Sequence, residues 1–261
     1  MKDVSVDAND IDAATDILCE RLRSMRMSAM AEALEGQLDD PNADLRGFFE
    51  RLTEIIDAEW QSRYDKKFTR FLKNATLRYP SADFDETIYN PDRLLDAAAI
   101  EQLAKCEWVD EGKNLLITGP TSGGKSYLAN AMCVAALRQF KTVRYVKASR
   151  LMGELEKARE ESSYIDYLAK SAKLDLLVID DFGFMDLDLD KCRDLFEVID
   201  IRDGRRALIV ISQVPVSEWF NMFANATYAE ACLARMTDKR RTYRLEMKGK
   251  SMRDCLDNHA E

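Results

Sequence analysis

Apolar residues recur at helical spacing through Ile17, Leu18, Leu22, Met25, Ala29, Met30, Ala33 and Leu34, and the run breaks at Asp39-Asp40-Pro41-Asn42. This predicts one helix, or two short ones, behind an opening of about ten polar residues that stays frayed. A second run, Leu45, Phe48, Phe49, Leu52, Ile55, Ile56 and Trp60, continues through Tyr64, Phe68, Phe71 and Leu72 and stops at Tyr79-Pro80. It predicts a long second helix and a domain boundary near Pro80, giving a helical part over residues 1–80.

Beyond Pro80 the text is mixed and polar to Pro91, and a short helix is expected from Arg93 to Lys105. At Asn114 the period changes from helical to strand-like. Strands are predicted at Asn114 to Thr118, Thr142 to Lys147, Asp175 to Asp180, Ala207 to Ser212 and Thr242 to Met247. Between them lie helices at Lys125 to Phe140, Ser149 to Arg159, Ser163 to Ser171 and Lys191 to Arg202, then further helices to about Met236. Alternating apolar strands and helices imply an α/β domain over residues 81–261, a parallel sheet covered by helices on both faces. No internal repeat is visible.

Composition narrows the class. With 46% hydrophobic and 33% charged residues the chain can bury a core, which a disordered sequence cannot. The formal net charge of −9 confines any nucleic-acid binding to local basic patches. Six scattered cysteines form no C-x-x-C pair and the single histidine is His259, so a zinc site is not expected. The acidic opening does not resemble a signal peptide and no run reaches a membrane span, so an intracellular, cytoplasmic protein without a membrane partner is expected.

Three of the ten glycines crowd into Gly119-Pro120-Thr121-Ser122-Gly123-Gly124-Lys125-Ser126, which satisfies G-x-x-x-x-G-K-[ST] between a predicted strand and a predicted helix. That setting defines a P-loop. Its backbone N–H groups and the helix N-terminus attract phosphate, Lys125 reaches β and γ oxygens, and the Ser126 hydroxyl ligates Mg²⁺. Gly119 through Ser126, with Tyr127 beside them, are the nucleotide-binding candidates. Gly123, beside Ser122, is expected to supply the conformational freedom of the turn.

The strand that ends at Asp180-Asp181 brings two carboxylates to the carboxyl edge of the sheet, the Walker B position. Asp180 is the candidate for the metal and Asp181 for orienting or deprotonating the attacking water. The short Asp181 side chain is expected to reach the water less well, so slow intrinsic hydrolysis is expected. Ser212-Gln213, at the end of another strand, are candidates for the γ-phosphate or the water.

These segments resemble the IstB/DnaC-like branch of the AAA+ ATPases, most closely IstB-type helpers of insertion-sequence transposition. The resemblance runs from the Met27 to Leu38 helix through Asn114 to Pro120, Leu177 to Gly183 and Ser212 to Trp219, and ends in Lys248-Gly249-Lys250-Ser251-Met252-Arg253. It implies an ATP- and Mg²⁺-dependent homo-oligomer that binds double-stranded DNA and works with an IstA-like transposase. It also implies that Arg235, in Ala231-Cys232-Leu233-Ala234-Arg235-Met236, is an arginine finger given to a neighbouring subunit's ATP site, and that Arg253 senses phosphate or packs structurally. Little chain follows Arg253, so no helical lid domain is expected, and another subunit or the amino-terminal helices would close over the nucleotide.

Arg63, Lys66, Lys67, Arg70 and Lys73 share about 120° of helical arc, with Tyr64, Phe68, Phe71, Leu72 and Ala75 on the adjoining arc. With Arg78 and Asp65, residues 63 to 78 sum to about +5, a candidate phosphate-tracking face. A second basic run, Lys239, Arg240, Arg241, Arg244, Lys248 and Lys250, is a further candidate. The sequence is therefore read as a slow ATPase, stimulated by DNA or a partner, that assists a transposase. A DnaC-type helicase loader and a non-hydrolysing nucleotide-dependent adaptor remain open beside it.

Overall fold

A computed structural model describes residues 8–86 and 95–248. The chain forms two compact units, divided between Thr69 and Arg70. The Lys250 and Arg253 positions and the start of the expected 93–105 helix lie outside the described residues.

The first unit is helical. The opening pattern resolves into two helices, α1 (Ala8–Ser24) and α2 (Ser28–Asp39), and Arg26 at φ 61° turns the chain between them. α1 thus starts inside the stretch expected to stay frayed. Cys19, Ala31 and Ile55 are buried, and Arg23 holds Glu35 through two contacts of 2.7 Å. The long helix α3 (Phe48–Ala75) supplies Glu59, whose carboxylate accepts the Ala29 and Met30 N–H groups at 3.1 and 3.2 Å. α2 has no side-chain cap of its own, so Glu59 satisfies the orphan donors of its first turn.

The second unit begins within α3. Phe71 packs edge-on to Phe140 with ring centroids 6.1 Å apart, and Ala75 is fully buried. The helix stops at Thr76, which takes φ 54°. After α4 (Ala97–Ala104) a single turn that the sequence pattern did not suggest, α5 (Glu107–Asp110), buries Trp108 and Val109 and leads into β1 (Asn114–Thr118).

The chain continues through α6 (Lys125–Arg138), β2 (Val143–Lys147), α7 (Ala148–Glu160), α8 (Tyr164–Lys173) and β3 (Leu176–Phe182). Then come α9 (Leu189–Asp200), β4 (Ala207–Ser212), a 3₁₀ segment (Val216–Met222), α10 (Ala226–Met236) and β5 (Thr242–Glu246). The five strands are parallel in the order β2-β3-β4-β1-β5. Leu115 to Ile117, Leu176 to Ile179 and Ala207 to Ile211 are almost wholly buried, as continuous apolar strands between two helical layers must be. This is the expected α/β architecture, and the order brings the carboxyl ends of β1, β3 and β4 to one edge.

Candidate nucleotide site

The loop after β1 is built on positive φ. Gly119 takes 145° and Gly124 takes 84°, and a Cβ at Gly119 would lie 2.3 Å from the Met247 carbonyl oxygen. The expectation for Ser122 is corrected: Ser122 itself adopts the left-handed conformation at φ 59°, and Gly123 does not take a positive φ. A serine tolerates that region at modest cost, so the turn needs no glycine there. Lys125, 7% exposed, folds over the loop and donates to the Gly119 and Pro120 carbonyls at 2.8 and 2.7 Å. Burial pushes its ammonium below the ordinary 10.5, while Asp180 and Asp181 pull it back up.

The first helical turn of α6 meets the end of β3. Ser126 Oγ donates to Asp180 Oδ2 at 3.0 Å, the Tyr145 hydroxyl donates to the same carboxylate, and the Asp181 N–H donates to Asp180 Oδ1 at 2.8 Å. Asp180 is 1% exposed, and burial among these groups raises the Tyr145 hydroxyl far above its usual value, keeping it a donor. β3 runs two residues beyond the expected end, with a register shift between Ile179 and Phe182 and φ 57° at Asp181. The irregularity turns the Asp181 carboxylate toward Lys147 at the end of β2, 2.6 Å away.

Between β3 and β1, the end of β4 presents Ser212, and Gln213 follows it. Thr121 donates to the Gln213 side-chain oxygen, which ties the loop to β4. Ser212 is turned inward: its hydroxyl donates to the Phe182 carbonyl at 2.6 Å and accepts the Val214 N–H at 3.0 Å. Tyr127 faces the segment after α3, accepting the Asp83 N–H at 3.2 Å and donating to Glu86. Arg235, in the last turn of α10, pairs with Asp200 at 2.7 Å and lies over the Phe196 ring at 4.9 Å. Arg63, Lys66, Lys67, Arg70 and Lys73 are exposed along α3, with Arg63 held by Glu59 at 2.7 Å.

Sequence reasoning missed Asn130, Tyr145 and Lys147. Asn130 carried a signal, because it is the lone polar side chain between Leu128 and Leu137. The other two become visible only once β2 lies beside β3.

Fold and loop together define a P-loop ATP-binding protein of the AAA+ kind. The sheet superposes on the DnaC helicase loader (TM-score 0.51, 19% identity, 66% of this chain and 99% of that one). It also superposes on AMPPCP-bound DnaA from Aquifex aeolicus (TM-score 0.53, 14% identity, 69% and 54%). The match to the IstB-like ATP binding proteins covers residues 20–260, and the chain belongs to that family. A Sinorhizobium fredii protein provisionally named an insertion sequence ATP-binding protein, y4pL, is 33% identical over 90% of this chain and 94% of its own length. The corresponding protein of insertion sequence IS1162 from Pseudomonas fluorescens is 38% identical over 76% and 85%. No described helix is long and apolar enough to cross a membrane.

Proposed function

We propose that this chain is a DNA-binding ATPase that assists a transposase, its ATP-bound form assembling as a homo-oligomer on duplex DNA and hydrolysis controlling release. The observation that carries the reading is the direct bond between Ser126 and Asp180, which joins the phosphate loop to the Walker B strand. Hydroxyl and carboxylate oxygens suit Mg²⁺, which binds through one or two protein oxygens together with substrate phosphates. Ser126 and Asp180 would hold the ion, which when bound neutralises phosphate charge.

Lys125 exchanges its loop carbonyls for β and γ oxygens, and Asp181 orients the attacking water once Lys147 yields its carboxylate. Thr121 and Gln213 flank the γ-phosphate position. Arg235 serves the neighbouring subunit. Leaving its place breaks the pair with Asp200, worth about 0–1 kcal/mol when partly exposed, and the contact with the Phe196 ring, worth about 0.5–1 kcal/mol.

The relatives named for insertion sequences support the transposase as partner, and adding the transposase of the same element to a strand-transfer assay tests it. The exposed stripe on α3 supports contact with duplex phosphates. Replacing Lys66, Lys67 and Arg70 together by alanine weakens duplex binding and flattens the dependence of log affinity on log salt by about 2.7, or 0.9 per contact. Unchanged affinity and slope refute the α3 assignment.

A further inference from the structure

Two buried polar residues reach from the ATP site to the segment that follows α3. Asn130 on α6 is fully buried. Its Nδ2 donates to the Ser126 carbonyl at 2.6 Å, and its Oδ1 accepts the Tyr79 N–H at 3.1 Å. Tyr145 on β2 does the same with different atoms: its hydroxyl holds Asp180, and its backbone carbonyl accepts Thr76 Oγ1 at 2.8 Å. Each residue therefore grips the segment at one end and a metal-side residue at the other.

The segment has no regular structure of its own. Thr76 holds a φ of 54° that β-branched residues avoid, and past Pro80 the chain is fixed by Tyr127 and by Arg138 on Asp83 at 2.9 Å. These ties all end on α6 or β2, the two elements that place Ser126 and Tyr145.

We propose that Asn130 and Tyr145 are positioning residues that align Ser126 and Asp180 for the Mg²⁺-nucleotide only while residues 76–86 are latched onto α6 and β2. This inference rests on the ATP-site reading above. The nucleotide's hold on Mg²⁺ and the latch then strengthen each other, since coupling between two binding events is reciprocal. A partner that pulls on the segment thereby weakens nucleotide binding without entering the site.

The test is calorimetric titration of the full chain with ATP, in Mg²⁺ and in EDTA. The gain in affinity due to Mg²⁺ falls about five- to tenfold in Tyr145→Phe, the worth of one buried hydrogen bond, and about two- to fivefold in Thr76→Val, whose bond to the Tyr145 carbonyl is part-buried. Thr76→Ser, which keeps the hydroxyl, retains the gain, and affinity in EDTA stays within about twofold throughout. In the unaltered chain, hydrogen exchange at the Tyr79 and Asp83 amides slows with MgATP more than with ATP in EDTA. Variants that keep the full Mg²⁺ gain, or amides indifferent to MgATP, overturn the inference while leaving ATP binding intact. A wild-type chain with no ATP affinity instead overturns the ATP-site reading itself.

Discussion

Replacing Lys125 by methionine keeps the buried stem and removes the charge. The ammonium donates to the Gly119 and Pro120 carbonyls, so binding ATP exchanges partners and does not merely add them. The carbonyl bonds are charge-assisted on the donor side alone and the phosphate contacts on both sides, which leaves about 2–3 kcal/mol in favour of phosphate over the two contacts. Lys125→Met therefore weakens ATP binding about 30- to 150-fold in calorimetry. ADP, which lacks the γ oxygens, loses about tenfold.

The same residue fixes the pH response. Its pKa is depressed by burial below 10.5, so in the window between the lowered value and 10.5 the unfolded chain binds the extra proton. Folding stability then rises with pH across that window, while ATP affinity falls as the charge is lost. The variant shows neither trend. A loss of ATP affinity under about threefold, or equal losses for ATP and ADP, refutes the assignment.

Ser122→Gly relieves about 1 kcal/mol of left-handed strain and gives back about 0.4–1 in unfolded-state entropy, so the melting temperature moves by less than about 2 °C; a larger rise shows that the strain at the serine exceeds that figure. Asp181→Asn leaves ATP affinity within about twofold and abolishes phosphate release in the presence of DNA; phosphate release at the wild-type rate removes Asp181 from the mechanism. Glu59→Gln weakens the cap on α2 by about 0.5–1 kcal/mol. The Arg63 bond and the Met30 and Ala29 N–H groups hold the Glu59 carboxyl below its ordinary 4.5, so its contribution is present above that value and lost as pH falls through the lowered one. Acid titration of helicity shows that loss in the wild type and not in the variant.

Legibility followed sequence distance. β1 and β4 begin and end where the sequence predicts, because each is a continuous apolar run closed by Thr118 or Ser212 at a sheet edge. The phosphate loop is local and was readable in full, except that Ser122 and not Gly123 takes the left-handed turn. β3 was cut short because two acids look like a strand end, whereas the bulge carries the strand on to Phe182. Tyr145 and Lys147 are separated from Asp180 and Asp181 by α7 and α8, and only the pairing of β2 with β3 puts Lys147 opposite Asp180 in register. No spacing rule within the chain encodes that neighbourhood. Arg235 illustrates the converse, because the motif marks the residue while the fold supplies the Asp200 pair that any role in trans must break.

The central claim is that bound ATP turns this chain into an assembly on duplex DNA. Sedimentation velocity of the full chain with a duplex, in MgATP and in MgADP, tests it most directly. A large nucleoprotein species is expected with MgATP that disperses with MgADP and is lost in Lys125→Met. A chain of the same size with either nucleotide, with the duplex sedimenting as free DNA, contradicts it.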